Sequence, residues 1–91
     1  MRLRWTGKAV DDLARLHAFL APVSPDAASR ILRMLSSAPE RLLDLPRMGE
    51  RLDEFAPREV RRIVIAHYEL RYELHDETLI VLRVWHTRED R

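Results

Sequence analysis

The sequence predicts an α+β fold: a small, mostly antiparallel, twisted sheet with an N-terminal strand and a two-helix hairpin packed on one face. Three observations carry this prediction. Residues 2–6 alternate polar and apolar side chains, residues 8–45 repeat apolar side chains every three or four positions, and residues 58–85 hold three β-type segments separated by short turns. The predicted order is therefore β-α-α-β-β-β, and a length of 91 residues suits a single domain over 1–91.

The N-terminal segment predicts a half-buried strand that leads into a helix. Leu3 and Trp5 face the core in this interpretation, while the arginines between them face outward. Thr6 offers its hydroxyl as a helix N-cap. An apolar stripe then predicts a helix from about Lys8 to Leu20, which Pro22 ends.

A second helix is predicted from Ser24, an N-cap followed by proline at the first helical position. Its apolar stripe continues to Leu45. Pro39 predicts a kink, or a short break followed by a last turn to Leu43, because proline lacks the backbone donor that a helix interior needs. Residues 46–57 lose periodicity and connect the helices to the sheet, with Leu52 and Phe55 predicted to hold this connection against the core.

The last third of the chain predicts three strands, at about 60–65, 68–74 and 79–85, separated by a turn or bulge at Ala66-His67 and a hairpin loop over 75–78. The middle strand alternates most clearly, so its charged residues should face water. The last strand is almost entirely apolar, which is typical of a central strand. We therefore place the N-terminal strand beside it.

Composition excludes several classes of function. Because the chain has no cysteine, disulfides, thiolate metal sites and cysteine nucleophiles are ruled out. The formal charge of +1 is too small for a general nucleic-acid-binding domain. The four histidines lack metal-ligand spacing, and no glycine-rich phosphate loop is present. We expect no metal, cofactor, small-molecule substrate or membrane span, and a cytoplasmic location.

Two groups of residues are candidates for a site. On the sheet face away from the helices, Arg71 and Arg83 could contact a phosphate-bearing or acidic partner. At the chain end, His86 and Arg88 are candidates for contact with a target, and secondarily for catalysis, in which His86 could act as a general acid or base and Arg88 could stabilise developing negative charge. The structural alternatives are a solvated, ion-paired sheet face and exposed ion pairs among Arg88, Glu89 and Asp90. Spacing alone favours these structural alternatives.

The segments RLRWTGKAVDDL, SPDAASRIL, RLLDLPRMGE, REVRRIVI, YELRYEL and LIVLRVWHTRED resemble, in order and over nearly the whole chain, the ParE/RelE superfamily of type II toxin–antitoxin toxins. The resemblance implies the fold predicted above, a role in growth arrest or plasmid stability, and a cognate antitoxin. That antitoxin would be a small DNA-binding protein whose C-terminal segment folds onto the helical hairpin or the groove of the sheet.

The resemblance also implies two alternative targets. ParE-like members poison DNA gyrase, whereas RelE-like members cut mRNA on the ribosome without a metal. Glu69 follows Tyr68 at the position where the RNA-cleaving branch usually has an arginine, which favours the gyrase target. If the protein is instead a ribonuclease, the catalytic candidates are His86, Arg88 and Arg71. An inactive, toxin-derived binding module is the third interpretation.

Overall fold

The computed structural model describes residues 1–89, which form two helices and five strands. The strands are β1 (Arg2–Trp5), β2 (Glu50–Arg51), β3 (Glu59–Ile65), β4 (Tyr68–His75) and β5 (Thr78–His86), and the helices are α1 (Gly7–Leu20) and α2 (Pro25–Leu42). A single 3₁₀ turn covers Asp53–Phe55. The predicted α+β class and element order are confirmed, with the short strand β2 added inside a segment predicted to be only a connection.

One mixed sheet has the strand order β1-β5-β4-β3-β2, in which β1 is parallel to β5 and the other pairs are antiparallel. The predicted position of β1 beside β5 is therefore confirmed. Leu3 pairs with Leu79 and Trp5 with Val81, so apolar side chains from both strands face the helices. The extra residue Leu82 interrupts the β4–β5 register, which pairs Val81 with Tyr72 but Arg83 with Arg71.

Both helices begin at the caps that the sequence predicts. The Thr6 hydroxyl accepts a hydrogen bond from the Ala9 amide at 3.1 Å and donates one to the Leu82 carbonyl at 2.9 Å. Ser24 accepts from the Ala27 amide at 3.2 Å. The predicted break at Pro39 is wrong, because α2 continues through it to Leu42. Neither helix in the described part of the chain is long and apolar enough to cross a membrane.

The core lies between the helices and one face of the sheet. Its buried members come from both helices and from the last two strands: Ala9, Leu16, Leu35, Ala38, Leu42, Tyr68, Leu70, Tyr72, Leu79, Val81 and Val84. Tyr72 is fully buried, and its hydroxyl donates to the Pro46 carbonyl at 2.7 Å and accepts from the Gly49 amide at 3.0 Å. These two bonds fix the segment after α2 over the sheet, since a buried hydroxyl needs partners.

Candidate functional site

The sheet separates the candidate residues onto opposite faces. Arg71 lies opposite Arg83 in the β4–β5 register, so both side chains start from the face away from the helices, which we call the open face. His86 instead pairs with Tyr68, a core residue on the helix side, and lines a pocket beside α1. Arg88 lines the same pocket. The ribonuclease set of His86, Arg88 and Arg71 is therefore not brought together on one surface.

Glu69 lies at the centre of the open face and is buried, with 1% of its surface exposed. Its carboxylate accepts hydrogen bonds from Arg62 at 3.3 Å and from Arg71 at 3.1 Å. The sequence predicted this residue to point into water as part of a solvated face, and for Glu69 that prediction is wrong. The neighbouring arginines enclose the carboxylate, and ion pairing offsets part of the cost of its burial.

Arg71 is further held by aromatic rings. Its guanidinium carbon lies 4.7 Å from the centroid of the Trp85 ring and 5.5 Å from that of Phe55. The Arg83 guanidinium lies 5.0 Å from the centroid of the same Trp85 ring. Phe55, predicted to pack against the core, instead contacts the open face through Arg71. These cation–π contacts restrict the orientation of both arginines.

Asp12 on α1 neutralises Arg83 and also caps the edge of β5. Because β1 ends at Trp5, the end of β5 has no neighbouring strand on that side, and Asp12 accepts the Val84 amide hydrogen bond at 2.9 Å in place of one. The same carboxylate, only 2% exposed, accepts from Arg83 at 2.8 and 3.1 Å and from Arg15. Burial alone would raise the pKa of Asp12, but hydrogen bonds from Arg83, Val84 and Arg15 together hold this pKa below its ordinary value.

This depressed pKa predicts acid destabilisation. A carboxyl group whose folded-state pKa lies below its unfolded value stabilises the fold above the unfolded value, 3.8 for Asp12, and this stabilisation is lost as the pH falls through the folded value. The free energy of unfolding should therefore drop below about pH 4, by about 1.4 kcal/mol per pH unit for each proton taken up on unfolding. Urea unfolding at a series of pH values measures this, and the Asp12→Asn variant should show a shallower dependence. Equal slopes for the two proteins would contradict it.

The second candidate surface is a pocket between the C-terminal half of α1 and the turn after β5, which we call the α1–tail pocket. Its volume is about 410 Å³, and its lining residues are Arg15, Leu16, Phe19, Leu20, Tyr68, His86, Arg88 and Glu89. The walls are mainly apolar, with charged groups at the rim. A pocket of this size falls within the range that takes a small ligand or a large partner side chain.

His86 is oriented by its neighbours in this pocket. Its ring lies edge-on to Tyr68, with ring centroids 5.2 Å apart, and is stacked 6.1 Å from the ring of His67. Its Nδ1 accepts the Arg88 amide hydrogen bond at 3.1 Å, so the neutral imidazole carries its proton on Nε2. Burial, with a smaller contribution from Glu89, raises the pKa of the Tyr68 hydroxyl above its ordinary value.

Glu89 fixes the turn that carries Arg88. Its carboxylate accepts the His86 amide hydrogen bond at 2.8 Å and two hydrogen bonds from Arg15 at 3.1 Å each. Burial raises the pKa of Glu89, and these hydrogen bonds more than offset that effect, so the net pKa is lowered. The predicted tail ion pairs are thus replaced, for Glu89, by a contact with α1; Asp90 lies outside the described residues.

Arg88 differs from the open-face arginines. It is exposed, and no carboxylate within residues 1–89 lies in ion-pair range of its guanidinium. Over the same residues, no group of three or more His, Asp or Glu side chains is arranged to hold a metal ion. The pocket thus combines an apolar surface, one imidazole and one available cation.

Comparison with known proteins identifies relatives over nearly the full chain. The model of a family described as the ParE toxin of the type II toxin–antitoxin system parDE matches residues 3–91. Toxin RelE2 of Caulobacter vibrioides is 32% identical over 82 residues, which are 90% of each chain. A solved chain from the chromosomal ParDE system of P. aeruginosa superposes with a TM-score of 0.79 at 19% identity, covering 94% of this chain and 95% of that one. At this identity the structural likeness concerns the fold alone.

Proposed function

This chain belongs to the ParE toxin family of type II toxin–antitoxin systems, and on that premise we propose that it acts by binding DNA gyrase and is neutralised by a cognate antitoxin. In this role the protein inhibits gyrase by binding to it and catalyses no reaction.

The observation that most favours gyrase binding over RNA cleavage is that the arginines of the open face are neutralised by carboxylates. Glu69 holds Arg62 and Arg71, and Asp12 holds Arg83, so these guanidiniums already have carboxylate partners. Phosphodiester cleavage needs cations that can meet a phosphate beside a group that transfers protons. The imidazole of His86 lies on the other side of the sheet. This arrangement supports binding of a protein over cleavage of RNA.

The α1–tail pocket is the surface we propose for the target. Phe19 at its edge is 79% exposed, and large exposed aromatic side chains beside an apolar pocket are typical of protein interfaces. Arg88 supplies a cation at the rim, where an acidic group of the target could bind. Arg71 and Arg83, the other predicted contacts, are less available because their charges are paired.

A gyrase assay tests the proposed target. Purified protein should inhibit supercoiling and accumulate linear, cleaved plasmid, and premixing with the cognate antitoxin should restore normal supercoiling. A translation-coupled RNA-cleavage assay run in parallel should give no cuts. Unchanged supercoiling at a molar excess of folded protein would contradict the proposal, and codon-dependent RNA cuts would replace it with the second candidate.

Replacing Arg88 with alanine should weaken the inhibitor. We expect about a tenfold higher concentration for half-inhibition of gyrase, equivalent to ~1.4 kcal/mol, because arginine is among the residue types that contribute most to binding once a partner buries them. Arg30→Ala removes an exposed arginine of α2 away from the pocket and should leave inhibition unchanged. Equal inhibition of gyrase by the Arg88→Ala and Arg30→Ala variants would show that the contact surface lies elsewhere.

The second candidate function is ribosome-dependent mRNA cleavage, and the shared position of His86 and Arg88 on one pocket favours it. In that case His86→Ala should abolish RNA cuts and toxicity together. A third outcome, vigorous growth despite high expression of folded protein, would identify an inactive binding module.

The proposed antitoxin would cover the apolar end of the helical hairpin. Phe19 and Val23 are both strongly exposed there, next to the half-buried Leu20. A partner segment that orders on binding could bury this surface.

A further inference from the structure

Glu69 occupies a position in which two guanidiniums converge on one carboxylate. Arg62 reaches one oxygen at 3.3 Å and Arg71 reaches the other at 3.1 Å. Guanidinium groups bind carboxylate and phosphate oxygens with the same planar, two-donor geometry. The two arginines thus form an anion-binding site whose bound anion is a side chain of the same protein.

The two arginines are also held by contacts that do not involve Glu69. The Arg71 guanidinium makes cation–π contacts with the rings of both Trp85 and Phe55. Arg62 donates a hydrogen bond from its Nε to Glu50 at 2.7 Å, while one terminal nitrogen is directed toward Glu69 at the centre of the open face. Loss of the Glu69 charge would therefore leave the cationic groups close to their present positions.

A second observation concerns Arg71 alone. Its Nε is buried and meets no hydrogen-bond acceptor within residues 1–89. A buried donor without an acceptor is unusual, and the carboxylate of Glu69 satisfies only the terminal nitrogen. The site therefore has hydrogen-bonding capacity that its present occupant does not use.

We propose that Glu69 is a specificity-determining residue that fills this site and so prevents the phosphodiester groups of single-stranded RNA from binding the open face. The inference rests on the proposed function and deepens it, because it names the residue that prevents a gyrase-binding protein from also binding RNA. A nucleic-acid phosphate that approaches Arg71 would have to displace a buried carboxylate and overcome its charge.

The test is a gain of RNA binding in the Glu69→Gln variant, which keeps the side-chain shape and removes the charge. Fluorescence anisotropy with a labelled single-stranded RNA at low salt should show at least tenfold tighter binding than that of the wild type. The logarithm of the affinity should also fall more steeply with salt, by about 0.7 for each additional phosphate contacted. The double variant Glu69→Gln/Arg71→Gln should lose most of the gain.

Glu73→Gln is the matched control. It makes the same change of charge on the same strand and face, but Glu73 pairs with Arg58, outside the site. Its RNA affinity should stay within about twofold of the wild type, the change expected of a non-specific charge effect. Equal gains for Glu69→Gln and Glu73→Gln would overturn the proposal.

Folding of the variant is tested separately with inorganic phosphate. If Glu69→Gln is unfolded in chloride, phosphate at the same ionic strength should restore the folded signal by occupying the vacated site, because a ligand that binds only the folded state stabilises it. No difference between the two salts would count against an anion site. RNA binding and rescue by phosphate are both measured without gyrase. If the wild-type protein failed to inhibit gyrase, the proposed target would be wrong, but the expected gain of RNA binding in Glu69→Gln would be unchanged.

Discussion

Replacement of Asp12 by alanine should lower the free energy of unfolding by about 3 kcal/mol, at the lower end of the range for breaking a buried ion pair, since both arginine partners keep access to water. The carboxylate is 2% exposed and joins α1 to β5 through Arg83 and the Val84 amide. Without it, the buried Val84 amide, which no neighbouring strand pairs at this edge of β5, loses its acceptor, and an unpaired buried donor is costly.

Urea unfolding at pH 7, followed by circular dichroism, measures this effect. Asp11→Ala is the matched control, because the adjacent carboxylate is exposed and should change stability by no more than about 0.5 kcal/mol. Asp12→Asn should retain part of the stability, as an amide oxygen can still accept the Val84 hydrogen bond. A loss no larger for Asp12→Ala than for Asp11→Ala would show that the contact contributes little.

Gly49→Ala is the second substitution expected to have a large effect, with a destabilisation of about 3 kcal/mol from overpacking. A Cβ atom at this position would lie 2.6 Å from the Tyr72 hydroxyl oxygen and 2.7 Å from the Arg62 carbonyl oxygen. Neither atom can move freely, because Tyr72 is fully buried and donates to Pro46, and the Arg62 carbonyl belongs to β3. The substitution should therefore displace the segment between α2 and β2.

Gly7→Ala provides a control within the same chain. A Cβ atom there meets nothing within 4 Å, and Gly7 begins α1. Alanine should be neutral, or stabilising by up to about 1 kcal/mol, since it restricts the unfolded chain and favours the helix. Thermal unfolding of Gly49→Ala and Gly7→Ala distinguishes the destabilisation caused by overpacking from the general effect of replacing a glycine. Similar melting temperatures for Gly49→Ala and the wild type would mean that Tyr72 can repack.

Much of the fold could be predicted because local patterns agree with the final structure. Thr6 and Ser24 cap the two helices as their positions suggest, and the apolar composition of β5 matches its place between β1 and β4. Such features depend on residues a few positions apart. The short β2 was missed because two residues, Glu50 and Arg51, give no periodicity to detect.

The site was less predictable because its defining contacts join distant parts of the chain. In the sequence, Asp12 is recognisable only as an acidic residue near the start of a helix. In the structure its partners are Arg83 and Val84, about seventy positions further along the chain. The burial of Glu69 depends on arginines from two strands, and the separation of His86 from Arg71 depends on which face each strand position takes. Alternation alone could not indicate that separation, because the extra residue Leu82 shifts the β4–β5 register and so decides which residues of β5 share a face with Arg71.

The place of β5 between β1 and β4 has a consequence for synthesis of the protein. Strand β1 has one neighbour in the sheet, and that neighbour, Thr78–His86, is the last of the described strands to be synthesised. While the C-terminal residues are still inside the ribosome, β1 has nothing to pair with and the core lacks Leu79, Val81 and Val84. Contacts between β1 and β5 also form slowly because they close a long loop. Folding must therefore wait until residues 78–86 have left the ribosome, and no nascent fragment that stops before them presents the finished surface.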